Sequence, residues 1–307
     1  MPHSGAAQSG VSPSGAGRSR TSVRTLGALL AGVMVCGGTA ACTATGGKSA
    51  ARSGGSGTIN ATPVAAVQKA VNKGARLNSG SYRLSGKVPG QGTVEGKVSF
   101  SLRPRAMDMR MKASGGREEG EFSVRLVGGS LYLGGGKDAA AAMGGKRWIK
   151  FPMKHKDTGP AGGFGGMRRQ ADQDPAAQAS LLPQSDDVKK VGEETVDGVR
   201  TTHYSGTVAV ADLLTKRAAR SALTAERRKK AVEQYRQLGV NELKLDMWVG
   251  PDDRMVKFRE RARATQGPLD VTIRFFDINK PVRVQAPPAS ETMDLAQKLK
   301  EAGRRRA

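Results

Sequence analysis

Val94-Glu95-Gly96-Lys97-Val98-Ser99-Phe100-Ser101-Leu102 alternates apolar and polar positions along its whole length, with Gly96 in one apolar slot. Successive side chains of a strand point to opposite faces, so this period of two predicts a β-strand with one oily and one wet face. Met107, Met109 and Met111 alternate with Asp108, Arg110 and Lys112 in the same way, and Phe122, Val124 and Leu126 continue the series. Leu131-Tyr132-Leu133 follows the turn Gly128-Gly129, and Arg147-Trp148-Ile149-Lys150-Phe151 makes another short strand. Consecutive amphipathic strands joined by Gly-containing turns read as an antiparallel meander with one face towards a core.

Outward from this block, the period changes. Before it, Thr62-Pro63 reads as an N-cap with Pro at the first helical position, and Val64, Val67, Ala70 and Val71 form an apolar stripe ending near Gly74. After it, residues 152–184 lose the pattern, with a loop around Phe164 and a short helix expected over Ala171–Leu182. A second strand block follows: Val188–Glu194, the turn Val196-Asp197-Gly198, and Val199–Val210. Ala211–Leu238 reads as one long basic helix. Leu243, Leu245, Met247 and Val249 alternate again, the turn Pro251-Asp252-Asp253 leads to Val256 and Phe258, and Leu269, Val271, Ile273 and Phe275 make a last long strand. Ser290, followed by Glu291, is expected to cap a terminal helix through Met293, Leu295 and Leu299. About nine to eleven strands, three or four helices and no βαβ alternation predict an α+β fold with a large antiparallel sheet.

The N-terminus carries a different signal. Arg18, Arg20 and Arg24 precede the apolar run Leu26–Val35, and Thr39-Ala40-Ala41 stands before Cys42. A basic segment, a short apolar run and small residues make an export signal, and the run is far short of the ~20 residues a membrane span needs. The cysteine after small residues resembles the lipobox of bacterial lipoproteins, with Thr39 where that pattern prefers Leu. The resemblance implies lipidation at Cys42 and loss of residues 1–41. Cys36 follows the bulky Val35 and fits less well. Residues 42–61 read as a Gly/Ser-rich tether, 62–303 as the folded domain, and 304–307 as a basic tail. Cys42 would be the sole cysteine after residue 41, so the domain has no internal disulfide.

The 307 residues carry 50 Lys and Arg against 27 Asp and Glu, with 41 glycines and 4% aromatics. Few aromatics and many glycines suit a bent sheet better than a dense enzyme core. The positive surplus attracts anions, and an exported chain meets phospholipid headgroups and acidic wall polymers rather than nucleic acid. The same surplus is equally what a high-GC coding bias leaves on a solvated surface.

The order of elements resembles the LolA-like envelope lipoproteins, in particular the LppX/LprG-type group of actinobacteria. Besides the lipobox and tether, the resemblance rests on the helix over residues 62–74 and the strand holding Leu131-Tyr132-Leu133. It extends to Trp148-Ile149-Lys150, Val191–Val199, Thr202-His203-Tyr204 and Asp246-Met247-Trp248-Val249. It covers residues 60–300 and implies an unclosed antiparallel β-barrel, capped by helices, whose concave face holds acyl chains or a lipoglycan. The basic stretch Ala211–Leu238 departs from that pattern.

Chemistry-bearing patterns are sparse. His155 lies in a Lys-rich loop and His203 in a strand, at no spacing that suits a metal site or a triad. Gly90-Gln91-Gly92 enters a strand, so it is a hairpin turn and not a phosphate cradle. Asp252-Asp253 lacks the oxygen ligands calcium needs, and Glu118-Glu119 and Glu193-Glu194 read as solvated pairs. The expectation is therefore a non-enzyme without cofactor or metal, a monomer anchored on the extracytoplasmic face of the cell membrane. It would bind lipid against Val98, Phe100, Met107, Met109, Met111, Phe122, Val124, Leu126, Leu133 and Met247. Flexible thioethers suit a ligand of ill-defined shape, and they equally suit ordinary core under helices. The alternative is a surface lipoprotein that binds a protein or an anionic wall polymer and holds no lipid.

Overall fold

The computed structural model describes residues 62–304, apart from 117–118, 137–139, 142, 154–177, 216–220 and 222. The export signal, the tether with Cys42, the loop around Phe164 and most of the helix expected over Ala171–Leu182 lie outside the described residues.

Helix α1, Pro63–Gly74, starts as its sequence dictates: Thr62 Oγ1 accepts from the Ala65 amide at 3.3 Å, and Val67, Ala70 and Val71 are buried. The meander follows as β1 (Ser79–Val88), β2 (Gly92–Leu102), β3 (Arg105–Ser114), β4 (Gly120–Val127), β5 (Ser130–Gly135) and β6 (Trp148–Pro152). Gly90 and Gly92, at φ 74° and 76°, make the β1–β2 hairpin turn that a side chain would strain. The second block is β7 (Lys189–Val196), β8 (Val199–Ala209), β9 (Glu242–Val249), β10 (Met255–Ala264) and β11 (Gly267–Phe276). Between β8 and β9 lies α2, Ala225–Gln237, and the chain ends in β12 (Thr292–Asp294) and α3 (Leu295–Arg304).

All twelve strands form one sheet in the order β12-β6-β5-β4-β3-β2-β1-β11-β10-β9-β8-β7. The two blocks join where β1 pairs with β11, and the sheet stays open, with β12 and β7 as its edges. Lys189, Lys190, Glu193 and Glu194 line the β7 edge, where charge discourages pairing with another chain.

Three expectations need correction. The basic stretch Ala211–Leu238 is not one helix: Val210–Leu214 forms a 3-10 turn, and a new helix starts at Ala225. Thr224 caps it by accepting from the Arg227 amide at 3.4 Å, a Thr224-Ala225-Glu226-Arg227 start that outweighs continuity of charge. The terminal helix is capped by Asp294, whose Oδ1 accepts from the Ala296 and Gln297 amides at 3.1 and 3.2 Å, and not by Ser290. Met293 accordingly lies in β12, which runs parallel to β6, so the sheet is not antiparallel throughout.

Register places one apolar face along the whole sheet. Tyr82 and Leu84 of β1 stand opposite Val98 and Gly96 on one side and Phe275 and Ile273 on the other. Helix α1 packs against β7, β9 and β10, the 3-10 turns Leu182–Gln184 and Val210–Leu214 pack against β8, and α2 packs on the second of these turns. Helix α3 sits at the far edge, against β6 and β12. Helices α1 and α2 and the two 3-10 turns thus gather over the β7–β10 half, with α3 alone at the β6–β12 edge.

Candidate functional site

The apolar face of β2–β6 is a grid fixed by cross-strand pairs. Phe100, Met107, Leu126, Leu131 and Phe151 form one row, and Val98, Met109, Val124, Leu133 and Ile149 form the next. Gly96, Met111, Phe122 and Gly135 form a third. Gly96 serves the grid directly, since a Cβ there would lie 2.0 Å from Met111 Sδ. Val98, the three methionines and Leu126 are buried, whereas Phe100, Phe122, Val124, Leu133 and Ile149 keep part of their surface open. The expected contacts on β2–β5 therefore share one face of adjacent strands. Met247 stands apart: it lies on β9 between Tyr204 and Phe258, with 0% of its surface exposed. Ile149 and Phe275 join the half-open group, and alternation along residues 147–151 and 269–275 was the signal that assigns them to this face.

The filled half holds a polar knot. Tyr235 of α2 donates to Glu260 Oε1 of β10 at 2.7 Å, and Gln178 Nε2 donates to Glu260 Oε2 at 3.0 Å and to the Tyr235 hydroxyl at 2.6 Å. Glu260 projects into the apolar face between Leu245 and Val271 and is 1% exposed. Burial pushes its carboxyl up to about 7, against which the two hydrogen bonds work in the opposite sense. Burial and the neighbouring Glu260 likewise push the Tyr235 hydroxyl well above its ordinary value.

The opposite face is polar. His203 is a satisfied strand residue: its Nε2 lies 2.9 Å from Asp246 Oδ1, and its ring stacks on Trp248 at 4.2 Å and 6°. Burial alone would raise Asp246, but hydrogen bonds from Arg261, His203 and Ser205 outweigh it and hold the carboxyl below the ordinary carboxylate range. Trp248 Nε1 donates to Glu194 Oε1. Among the described residues no cluster of three or more His, Cys, Asp or Glu side chains could hold a metal ion. Among the described residues, two shallow hollows stand out. One of about 330 Å³ is lined by Ser185, Asp186, Asp187, Thr207, Asp212 and Leu213, and one of about 10 Å³ lies between Leu77, Met255 and Phe275. Neither is bordered by the methionine strand.

An open twelve-stranded sheet with one apolar face, sealed over β7–β10 and left half-buried in places over β2–β6, defines an α+β protein whose distinctive surface is that face. The chain belongs to the same family as an uncharacterized 31.2 kDa protein of Streptomyces griseus encoded in the rplA-rplJ intergenic region. The two are 33% identical over 258 residues, covering 79% of this chain and 82% of that protein. A Streptomyces coelicolor protein that its name proposes to be a lipoprotein is 29% identical over 183 residues, covering 59% of this chain and 54% of that one. No family model matches the sequence. Among solved structures, LprF from Mycobacterium bovis is similar over 74% of this chain and 97% of its own, at 16% identity and a TM-score of 0.45. Mycobacterium tuberculosis lipoprotein LppX is similar over 73% and 98%, at 16% identity and a TM-score of 0.41.

Proposed function

We propose that this protein is a membrane-anchored envelope lipoprotein that holds acyl chains of a lipid or lipoglycan along the half-open apolar face of β2–β6, as a carrier or chaperone. The observation that carries the reading is the set Phe122, Val124, Leu133 and Ile149, half-buried on neighbouring strands, with Phe100 across the buried methionines of β3. A half-buried apolar set of this kind is a surface that a ligand can finish covering. Each methylene laid on it gains ~0.8 kcal/mol, so half of a long acyl chain supplies several kcal/mol. Met107, Met109 and Met111 can re-pack their flexible thioethers around chains of different length. The lipobox-like Thr39–Cys42 supports an anchor on the extracytoplasmic face, as does the name of the Streptomyces coelicolor relative. The basic surplus adds attraction to anionic headgroups, about 1 kcal/mol for each Lys or Arg near the surface.

Delipidated full-length protein, re-exposed to a lipid extract and examined by native mass spectrometry, tests the reading. A stoichiometric lipid adduct is expected, lost in Val124→Lys and kept in Ser123→Lys, which places the same charge on the opposite face of β4. Clean apo protein under all conditions overturns lipid binding and leaves a tethered scaffold.

A further inference from the structure

The polar face carries a pattern that neither the fold nor lipid binding needs. Register sets its outward side chains in rows that cross the strands. In one row Glu121, Lys112 and Glu95 stand opposite one another, and Arg259 stands opposite Asp246. In another, Lys150 stands between Asp294 and Tyr132, and Arg125 faces Asp108. In a third, Lys87, Asp270 and Arg261 alternate. Opposite signs face each other in all three, as cross-strand energetics favour, with one like-charged pair, Arg261 opposite Lys244, at the end of the third.

The row between the first two breaks this rule. Arg110, Lys97, Arg83, Arg274 and Lys257 stand directly opposite one another on β3, β2, β1, β11 and β10, and Trp248 and His203 continue the line on β9 and β8. Like charges directly opposite are destabilising, and here four successive pairs repeat the fault. Arg110 reaches Asp108 at 3.3 Å, Arg274 comes within 4.0 Å of Asp197, and Asp277 lies at the flank of Lys97 and Arg83. Arg83, Lys97 and Lys257 make no ion pair among the described residues. They rest on rings instead: Arg83 and Lys97 lie 4.6 and 5.5 Å from the centre of Phe276, and Lys257 lies 3.7 Å from that of Trp248. Burial lowers Lys257, Glu194 opposes this, and Arg274 in the row and Arg259 beside it push it lower still.

We propose that this row binds an extended, flexible polyanion with repeating phosphate groups, laid across the strands so that phosphates along its length meet the successive cations. Neighbouring strands are ~4.8 Å apart, so the row presents its positive groups over about 19 Å at near-regular intervals. Aromatic rings keep the cations upright without neutralising them, which leaves the charge for a partner. The sheet's twist of ~20–25° per strand turns the outward direction of the row through roughly a right angle between Arg110 and Lys257. A flat bilayer meets only part of such a row, whereas a flexible chain follows it.

The site lies on the face opposite the proposed lipid surface, so the two readings stand or fall separately. Full-length protein carrying Cys42→Ser, which removes the proposed lipidation site, would be titrated with short-chain inorganic polyphosphate, with orthophosphate, and with vesicles containing phosphatidylglycerol. Polyphosphate is expected to bind with log affinity falling against log salt at a slope of about −3 to −4, and orthophosphate far more weakly. The double variant Lys97→Gln/Arg274→Gln should weaken polyphosphate binding by about tenfold or more and flatten the slope by about 1 to 2. Arg76→Gln/Lys189→Gln removes the same charge elsewhere and should change little. Equal loss in both variants reduces the binding to net charge and overturns the proposal. A loss on vesicles as large as that on polyphosphate assigns the row to a membrane surface and overturns it too.

Discussion

The two halves of the apolar face are built from the same kind of strand and finished differently. Over β7–β10 the face is sealed: Leu243, Leu245, Met247 and Phe258 lie beneath α1, the 3-10 turns and α2, with at most 2% of their surface exposed. Over β2–β6 the same alternation leaves Phe100, Phe122, Val124, Leu133 and Ile149 partly open. Apolar alternation therefore specifies which face is oily and not how much of it is covered. Coverage depends on where the helices gather, and that follows from connections outside the strands.

The contrast predicts unequal costs of truncation. Leu245→Ala, in the sealed half, should destabilise by about 3–4 kcal/mol, because nothing collapses into the cavity it leaves. Leu133→Ala, in the half-open half, should cost about 1 kcal/mol, because water already reaches the site. Chemical denaturation measures both, and equal losses would erase the distinction between the halves. The next effect depends on pH. The folded value of about 7 for Glu260 lies above its ordinary 4.5, so the folded chain holds this proton more tightly. Its contribution to stability is complete below pH 4.5 and is lost as pH rises through 7. Glu260→Gln should therefore be more stable than wild type at pH 8 by up to about 3 kcal/mol, and the advantage should vanish by pH 4. Melting temperatures at the two pH values would show it, and a variant that loses stability at pH 8 would mean that the knot needs its charge. Gly96→Ala sharpens the picture of the half-open side. Its Cβ would meet Met111 Sδ at 2.0 Å and the Arg110 carbonyl oxygen at 2.9 Å, so about 2 kcal/mol should be lost despite the open surface nearby. The smallest effect belongs to the polar face: removing the Arg259–Asp270 pair with Asp270→Asn should cost about 0.5 kcal/mol, less in high salt.

Much of this was legible beforehand. Period-two alternation located the strands from Tyr82 to Phe275, and Thr62-Pro63 located the first helix. The turn Asp197-Gly198 carries the expected positive φ angles, 48° and 82°. What escaped was one local cap and several non-local pairings. Composition made Ala211–Leu238 one helix, whereas Thr224 offers a cap that restarts the chain there. Ser290 looked like a cap, but residues 292–294 gain more from pairing with Trp148, Ile149 and Lys150, 144 positions earlier for the Lys150–Asp294 contact. The Glu260 knot was unreadable for the same reason, since Gln178, Tyr235 and Glu260 are brought together only by packing. The cationic row needs the register of five strands, and no single stretch of sequence displays it.

The pairing of β1 with β11 has a consequence for how the molecule is made. A chain that emerges from its N-terminus completes β1–β6 at residue 152, 115 residues before β11 begins at 267. During that interval the first block has an unpaired backbone edge on β1 and an uncovered greasy surface, the combination most prone to sticking to other chains. Synthesis speed, or a helper that shields β1 until its partner arrives, then governs yield as much as the final stability does. Moving residues 267–276 ahead of β1 by circular permutation would shorten that exposed interval.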